Sequence, residues 1–277
     1  MARLGKHPLV ALSAALSGCG TDQSASHPFL NCSVNIAFDG NSLTYGSLNP
    51  TTHVSEPYPS QLAALPPMAG SGTSGGESTN FGVGGSTWSD MTARAPAGLD
   101  TAVVLGRTNL LIAWETINTV AAVWLDGYGT SSLANYVALN ATGCESYVAA
   151  RRAAGWDMIF LLGSLPHERF LFIPPLNEVL AACDEDMRAR LYGADAYIDL
   201  RHNGPFDFTA NGWTFDIGTY PGGPLTDSGF DQLAYIYGDG GLWLPAAIQP
   251  PGTRVHLSNG GYSIIAERVG EALSCLD

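Results

Sequence analysis

Two short runs limit most severely what this chain can fold into. Asn109–Trp114 and Met158–Leu162 are apolar at nearly every position. A strand with one wet face alternates polar and apolar residues. These do not, so they read as strands covered on both sides, the mark of a parallel sheet. Val34–Phe38 alternates and ends in Asp39-Gly40, a strand running into a turn. Asn80–Val83 and Ala196–Leu200 complete a set of five. Helical patterns lie between them. Tyr58–Leu65 is halted by Pro66-Pro67, and Ser131–Ala154 and Leu176–Leu191 follow. Asn259–Leu276 carries Tyr262, Ile265, Val269 and Leu273 on one stripe. Strands alternating with helices predict an α/β chain, a three-layer α/β/α flavodoxin-like fold on a five-stranded parallel sheet. A length of 277 residues suits one such domain with decorations. Ligands of such sheets bind beyond the carboxyl ends of the strands. Ser42, Gly85 and Asn118 each follow a strand and fall on that rim.

The rest of the chain frames this domain. Residues 1–30 read as an export signal and tether. Arg3 and Lys6 are basic, Pro8–Leu16 is apolar but too short to span a bilayer, and Leu16-Ser17-Gly18-Cys19 resembles a bacterial lipobox with Cys19 lipidated. The expected location is a bacterial envelope lipoprotein or a secreted protein. A misread signal leaves a virion-associated or cytoplasmic chain. With Cys19 lipidated, Cys32, Cys144, Cys183 and Cys275 remain, enough for two disulfides, with Cys32–Cys275 joining the chain ends as one option. The domain then occupies 31–277, with an insertion at about 202–252 rich in aromatics, Trp213, Tyr220 and Trp243 among them. That segment is either a binding surface or a self-packed cap. Lys and Arg total 12 against 25 Asp and Glu, a net charge of -13, which repels phosphate backbones and argues against nucleic-acid partners.

A serine hydroxyl needs a base to take its proton and donors aimed at the oxyanion that forms. Four segments supply those groups in order. Phe38-Asp39-Gly40-Asn41-Ser42-Leu43 exposes a serine after a strand, and Asn80-Phe81-Gly82-Val83-Gly84-Gly85-Ser86 is a glycine-rich turn. Trp114-Glu115-Thr116-Ile117-Asn118 brings an amide, and Val255-His256-Leu257-Ser258 brings an imidazole just before the last helix. These segments resemble blocks I, II, III and V of the SGNH/GDSL hydrolase superfamily, over residues 34–275. The resemblance implies Ser42 as nucleophile and His256 as general base. It implies an oxyanion hole from the Ser42 N–H, the Gly85 N–H and the Asn118 side-chain amide. No metal or organic cofactor is required. The remaining histidines, His53 and His167 among them, lack metal-ligand spacing and read as loop residues.

Three departures from the pattern stand out. Asn41 replaces the usual Asp before the serine, a near-isosteric change. Thr116-Ile117-Asn118-Thr119 replaces Gly-x-Asn-Asp. Thr253 stands where the acid of a triad is expected, three residues before His256. Asp231 or Asp239 on the insertion can fill that role, a backbone carbonyl can orient His256 instead, or the site is degenerate. Taken singly, Ser42 suits a turn, Gly85 a tight bend, Asn118 a helix cap and His256 a surface helix start. Gly72-Thr73-Ser74-Gly75-Gly76 matches a nucleophile elbow, but it precedes a strand inside a Gly/Ser loop and reads as loop. The resemblance implies an ester hydrolase, of esterase, lipase or carbohydrate acetylesterase type. Its substrate is a small-molecule, lipid or carbohydrate ester, and membrane contact comes only through Cys19. The alternative is a non-catalytic protein of the same fold that binds envelope glycans or decorates a virion.

Overall fold

A computed structural model describes residues 34–46, 48–49, 53–54, 57–65, 79–127, 132–165, 175–200 and 259–274. Five strands form one parallel sheet: β1 (Val34–Gly40), β4 (Thr79–Asn80), β5 (Thr108–Trp114), β6 (Met158–Leu162) and β7 (Ala196–Ile198). A two-stranded antiparallel ribbon, β2 (Leu48–Asn49) with β3 (His53–Val54), stands apart. The helices are α1 (Ser42–Tyr45), α2 (Tyr58–Ala64), α3 (Trp88–Arg94), α4 (Ile117–Gly127), α5 (Leu133–Ala153), α6 (Pro175–Arg190) and α7 (Asn259–Ser274).

The sheet order is β4-β1-β5-β6-β7. Counted along the chain, that is the flavodoxin-like 2-1-3-4-5 order, and the three-layer α/β fold expected from the apolar runs is the one found. The order reverses between β1 and β5, and such switch points are where ligands bind in sheets of this kind. In β5 alone, Leu110, Ile112 and Trp114 face one layer and Leu111 and Ala113 the other, all buried. The first layer gathers Tyr58 and Leu62 of α2 with Tyr262, Ile265, Val269 and Leu273 of α7. The second gathers Trp88 and Met91 of α3 with Cys144, Tyr147 and Val148 of α5. Each fully buried Leu, Ile or Phe contributes about 1.5–3 kcal/mol, so the two covered faces hold the sheet between them.

Some boundaries differ from the sequence expectation. Strand β4, the second of the five-stranded sheet in chain order, spans only Thr79–Asn80, not Asn80–Val83. Residues 81–83 still follow β1, because the Phe81 N–H donates to the Phe38 carbonyl at 2.8 Å and the Val83 N–H to the Gly40 carbonyl at 3.0 Å. The disulfide arithmetic also needs correction. Cys144 and Cys183 are thiols buried in the two helical layers, so four cysteines do not form two bridges. Their burial between helices and sheet makes each a small apolar core residue. Cys19, Cys32 and Cys275, the insertion at 202–252 and the Gly72–Gly76 loop lie outside the described residues. Among the described residues, no helix is long and apolar enough to cross a membrane.

Candidate active site

Three of the segments singled out in the sequence meet at the switch point. Gly40 closes β1, and it must be glycine. A Cβ there would lie 2.2 Å from the Thr44 Oγ1 and 2.6 Å from the Trp114 carbonyl oxygen. The chain then turns at Asn41 and starts α1 with Ser42. The Asn41 Oδ1 accepts from the Leu43 N–H at 2.8 Å, which caps the turn, and the Gly46 N–H returns to the Ser42 carbonyl at 3.0 Å.

The glycine-rich segment lies against this turn. The Asn80 amide donates to the Thr44 carbonyl at 2.7 Å, and its Oδ1 accepts from the Gly82 N–H at 2.9 Å. At Gly82 a Cβ would sit 2.4 Å from the Tyr45 nitrogen, so the two backbones cross in contact. At Gly84 a Cβ would lie 3.9 Å from that of Ser42. Gly85 is exposed with φ of 79°, a left-handed conformation that explains glycine without any crowding.

Asn118 completes the group. It does not cap a helix. It lies in the first turn of α4, and its Nδ2 donates to the Ser86 carbonyl at 3.1 Å, linking α4 to the loop beside Ser42. A side-chain amide carries two hydrogens, and this bond uses one. The helix start is held by Glu115 instead, whose Oε1 accepts from the Thr119 N–H at 2.7 Å. The altered third block is put to structural use. The Thr119 hydroxyl accepts from the Trp88 N–H at 3.1 Å, fastening α3 to α4, and the Thr116 hydroxyl donates to the carbonyl of Glu115.

Two buried carboxylates support the rim, and neither stood out in the sequence as a site residue. Asp39 receives the Gly40 N–H at 2.8 Å, both terminal nitrogens of Arg94 at 2.8 and 2.6 Å, and the Tyr147 hydroxyl at 2.6 Å. Burial pushes its pKa up to about 6 against the pull of Arg94 and Tyr147. Arg94 also donates to the Gly40 carbonyl at 2.8 Å, so it braces the strand end that carries Ser42. Glu115 is fully buried without a cation. Its Oε2 accepts from the Asn41 Nδ2 at 2.5 Å, and burial pushes its pKa up to about 7. A carboxylate placed directly after a fully apolar strand was the signal that it would be buried.

Ser42, Gly85 and Asn118 therefore stand on one rim through directly contacting segments. His256, Thr253, Asp231, Asp239 and His167 lie outside the described residues, and of His53 only the backbone, at the start of β3, is described. Among the described residues no cluster of three or more metal-ligating side chains occurs.

No family model matches the chain, and no curated protein matches its sequence. Solved structures do. LAE5, an alpha/beta hydrolase enzyme from the metagenome of Lake Arreo, Spain, superimposes with a TM-score of 0.53 at 16% identity, over 89% of this chain and 97% of that one. A catalytic mutant of Axe2, an acetylxylan esterase from Geobacillus stearothermophilus, gives 0.50 at 15% identity, over 86% and 93%. Near-complete coverage at such low identity establishes the architecture. The chain shares with them a three-layer α/β/α fold, here on a five-stranded parallel sheet.

Proposed function

We propose that this protein hydrolyses a carboxylic ester through an acyl-enzyme on Ser42. Ser42 attacks the carbonyl while His256 takes its proton, then returns it to the leaving alcohol. The N–H groups of Ser42 and Gly85 and the second Asn118 amide hydrogen stabilise the tetrahedral oxyanion. Water, activated by the same imidazole, releases the acid. The observation that carries this reading is the contact between the Ser42 turn, the Gly84–Ser86 loop and Asn118 at the switch point, where two donor-bearing segments flank one serine. Two enzymes of the same fold lend support, one described as a hydrolase and the other as an acetylxylan esterase. A short acyl group on a carbohydrate or small alcohol is the substrate class this reading favours. Export as a Cys19 lipoprotein belongs to the same proposal, with incorporation of radiolabelled palmitate as its check.

The test uses the purified full chain. It turns over p-nitrophenyl acetate and is labelled by a fluorophosphonate at Ser42, and Ser42→Ala loses both signals. Asn118→Ala lowers kcat by about 10²–10³. Turnover that survives Ser42→Ala, or a folded wild type that neither turns over ester nor takes the label, overturns the proposal. The second result, together with glycan binding, selects the non-catalytic reading.

A further inference from the structure

The residue before the nucleophile departs from the family pattern, and the structure supplies a partner for that departure. Asn41 is fully buried, and both ends of its amide are used. Oδ1 accepts from the Leu43 N–H, and Nδ2 donates to Glu115. Glu115 is equally buried, and its second oxygen accepts from the Thr119 N–H. The result is a line of four groups. A backbone N–H of α1 is at one end, a backbone N–H of α4 is at the other, and two side chains meet between them. Both ends donate. The two side chains must therefore supply an acceptor to each end and still have one donor between themselves. An amide facing a carboxylate satisfies that requirement. Two ionised carboxylates do not, because neither offers a donor and their charges repel, so such a pair works only while it holds one proton. Two amides do not either, because one of them then turns an N–H toward another N–H.

We propose that Asn41 and Glu115 are a polarity-matched pair, and that Glu115 is the positioning residue that locks the Ser42 turn to the first turn of α4, where Asn118 sits. The replacement of the family's acid by an amide at this position is then the counterpart of the carboxylate of Glu115, not a neutral swap. Glu115 touches no reacting atom. It sets the spacing between the nucleophile and the amide donor from behind. The kinetic part of the inference rests on the ester-hydrolase reading, and the pairing itself does not.

The chemistry predicts a specific rescue. In N41D/E115Q the polarity is reversed but complete. The introduced carboxylate accepts from the Leu43 N–H and from the introduced amide, whose carbonyl accepts in turn from the Thr119 N–H. In E115Q alone one N–H is orphaned. In N41D alone two acids share one site. The groups acting directly on Glu115 are Asn41, Thr116 and Thr119, none of them titratable, while Asp39 faces Arg94 and Tyr147.

The experiment compares wild type, N41D, E115Q and N41D/E115Q in the full chain, by kcat and KM on p-nitrophenyl acetate, by the rate of fluorophosphonate labelling, and by urea unfolding. E115Q lowers kcat by about 10²-fold, the cost of about an ångström of misplacement, with KM little changed. N41D loses more at pH 8 and recovers part of the loss at pH 6, where the two acids hold a proton between them. The double variant regains roughly tenfold or more over the product of the single losses. Single variants that fail to fold while the double folds demonstrate the same coupling. Losses in kcat and labelling that simply multiply overturn the positioning role, even if the stabilities couple. A folded wild type with neither turnover nor labelling ends the ester reading instead. The unfolding cycle then decides the pair, with coupling sustaining it and additivity overturning it.

Discussion

The two buried carboxylates at the rim differ in what neutralises them. Asp39, near the end of β1, has a cation: Arg94 reaches it with both terminal nitrogens, and Tyr147 adds a hydroxyl. Glu115, just after β5, has neutral donors instead, the Asn41 amide and groups of Thr116 and Thr119. Both are fully buried. Burial raises both, Asp39 to about 6 and Glu115 to about 7, and a cation opposes the rise only at Asp39. Asp39 thus works through charge and braces the strand end. Glu115 works through hydrogen-bond direction and sets how two turns meet.

Removing the cation tests the first half of this contrast with the largest effect. Arg94→Leu strands a buried carboxylate and costs about 3–5 kcal/mol in urea unfolding at pH 8. The loss shrinks at pH 5, where Asp39 takes a proton. An equal loss at both values would show that Asp39 does not change charge between them. The second half is read from pH dependence. Both folded-state values lie above the ordinary carboxylate range, so the stability these groups contribute is complete in acid and disappears as pH rises through about 6 and about 7. Glu115→Gln removes its own share, a slope worth about 3 kcal/mol between pH 4.5 and 7. Melting curves across that interval that run parallel for wild type and variant would contradict this. The smallest effect comes from Tyr147→Phe, which deletes one bond to Asp39 and costs about 2 kcal/mol, again less in acid. A loss independent of pH would assign Tyr147 to packing alone.

Much of this contrast was hidden in the sequence. The strands were legible because burial on both faces leaves an unbroken apolar run, as in Leu110–Trp114. The stripe of α7 was legible because Tyr262, Ile265, Val269 and Leu273 repeat at helical spacing, and all four are buried. Helix α3 was not read, since it is seven residues long and buries only Trp88 and Met91. Helix α4 was not read either, although Ile117, Val120, Ala121 and Trp124 lie at helical spacing along it. Ser42, Gly85 and Asn118 were singled out because motif order carried them, and their segments lie together. Asp39 and Glu115 were passed over because their partners are distant: Tyr147 is 108 residues from Asp39, and Asn41 is 74 from Glu115. The apolar strand before Glu115 signals that the carboxylate is buried, but no local pattern names a partner so far away in the chain. Asn41 looked like a minor isosteric change for the same reason.

The sheet also tapers. Its two central members run for seven residues each, β6 for five, and the flanking β7 and β4 for three and two. An open margin of backbone is a template onto which another chain can add, and brevity is one way proteins blunt it. Among the described residues, the margins offer too little ladder for a stranger to zip onto. The long, strongly apolar strands that would drive such accretion, β1 and β5, sit inside the sheet with a neighbour on either side.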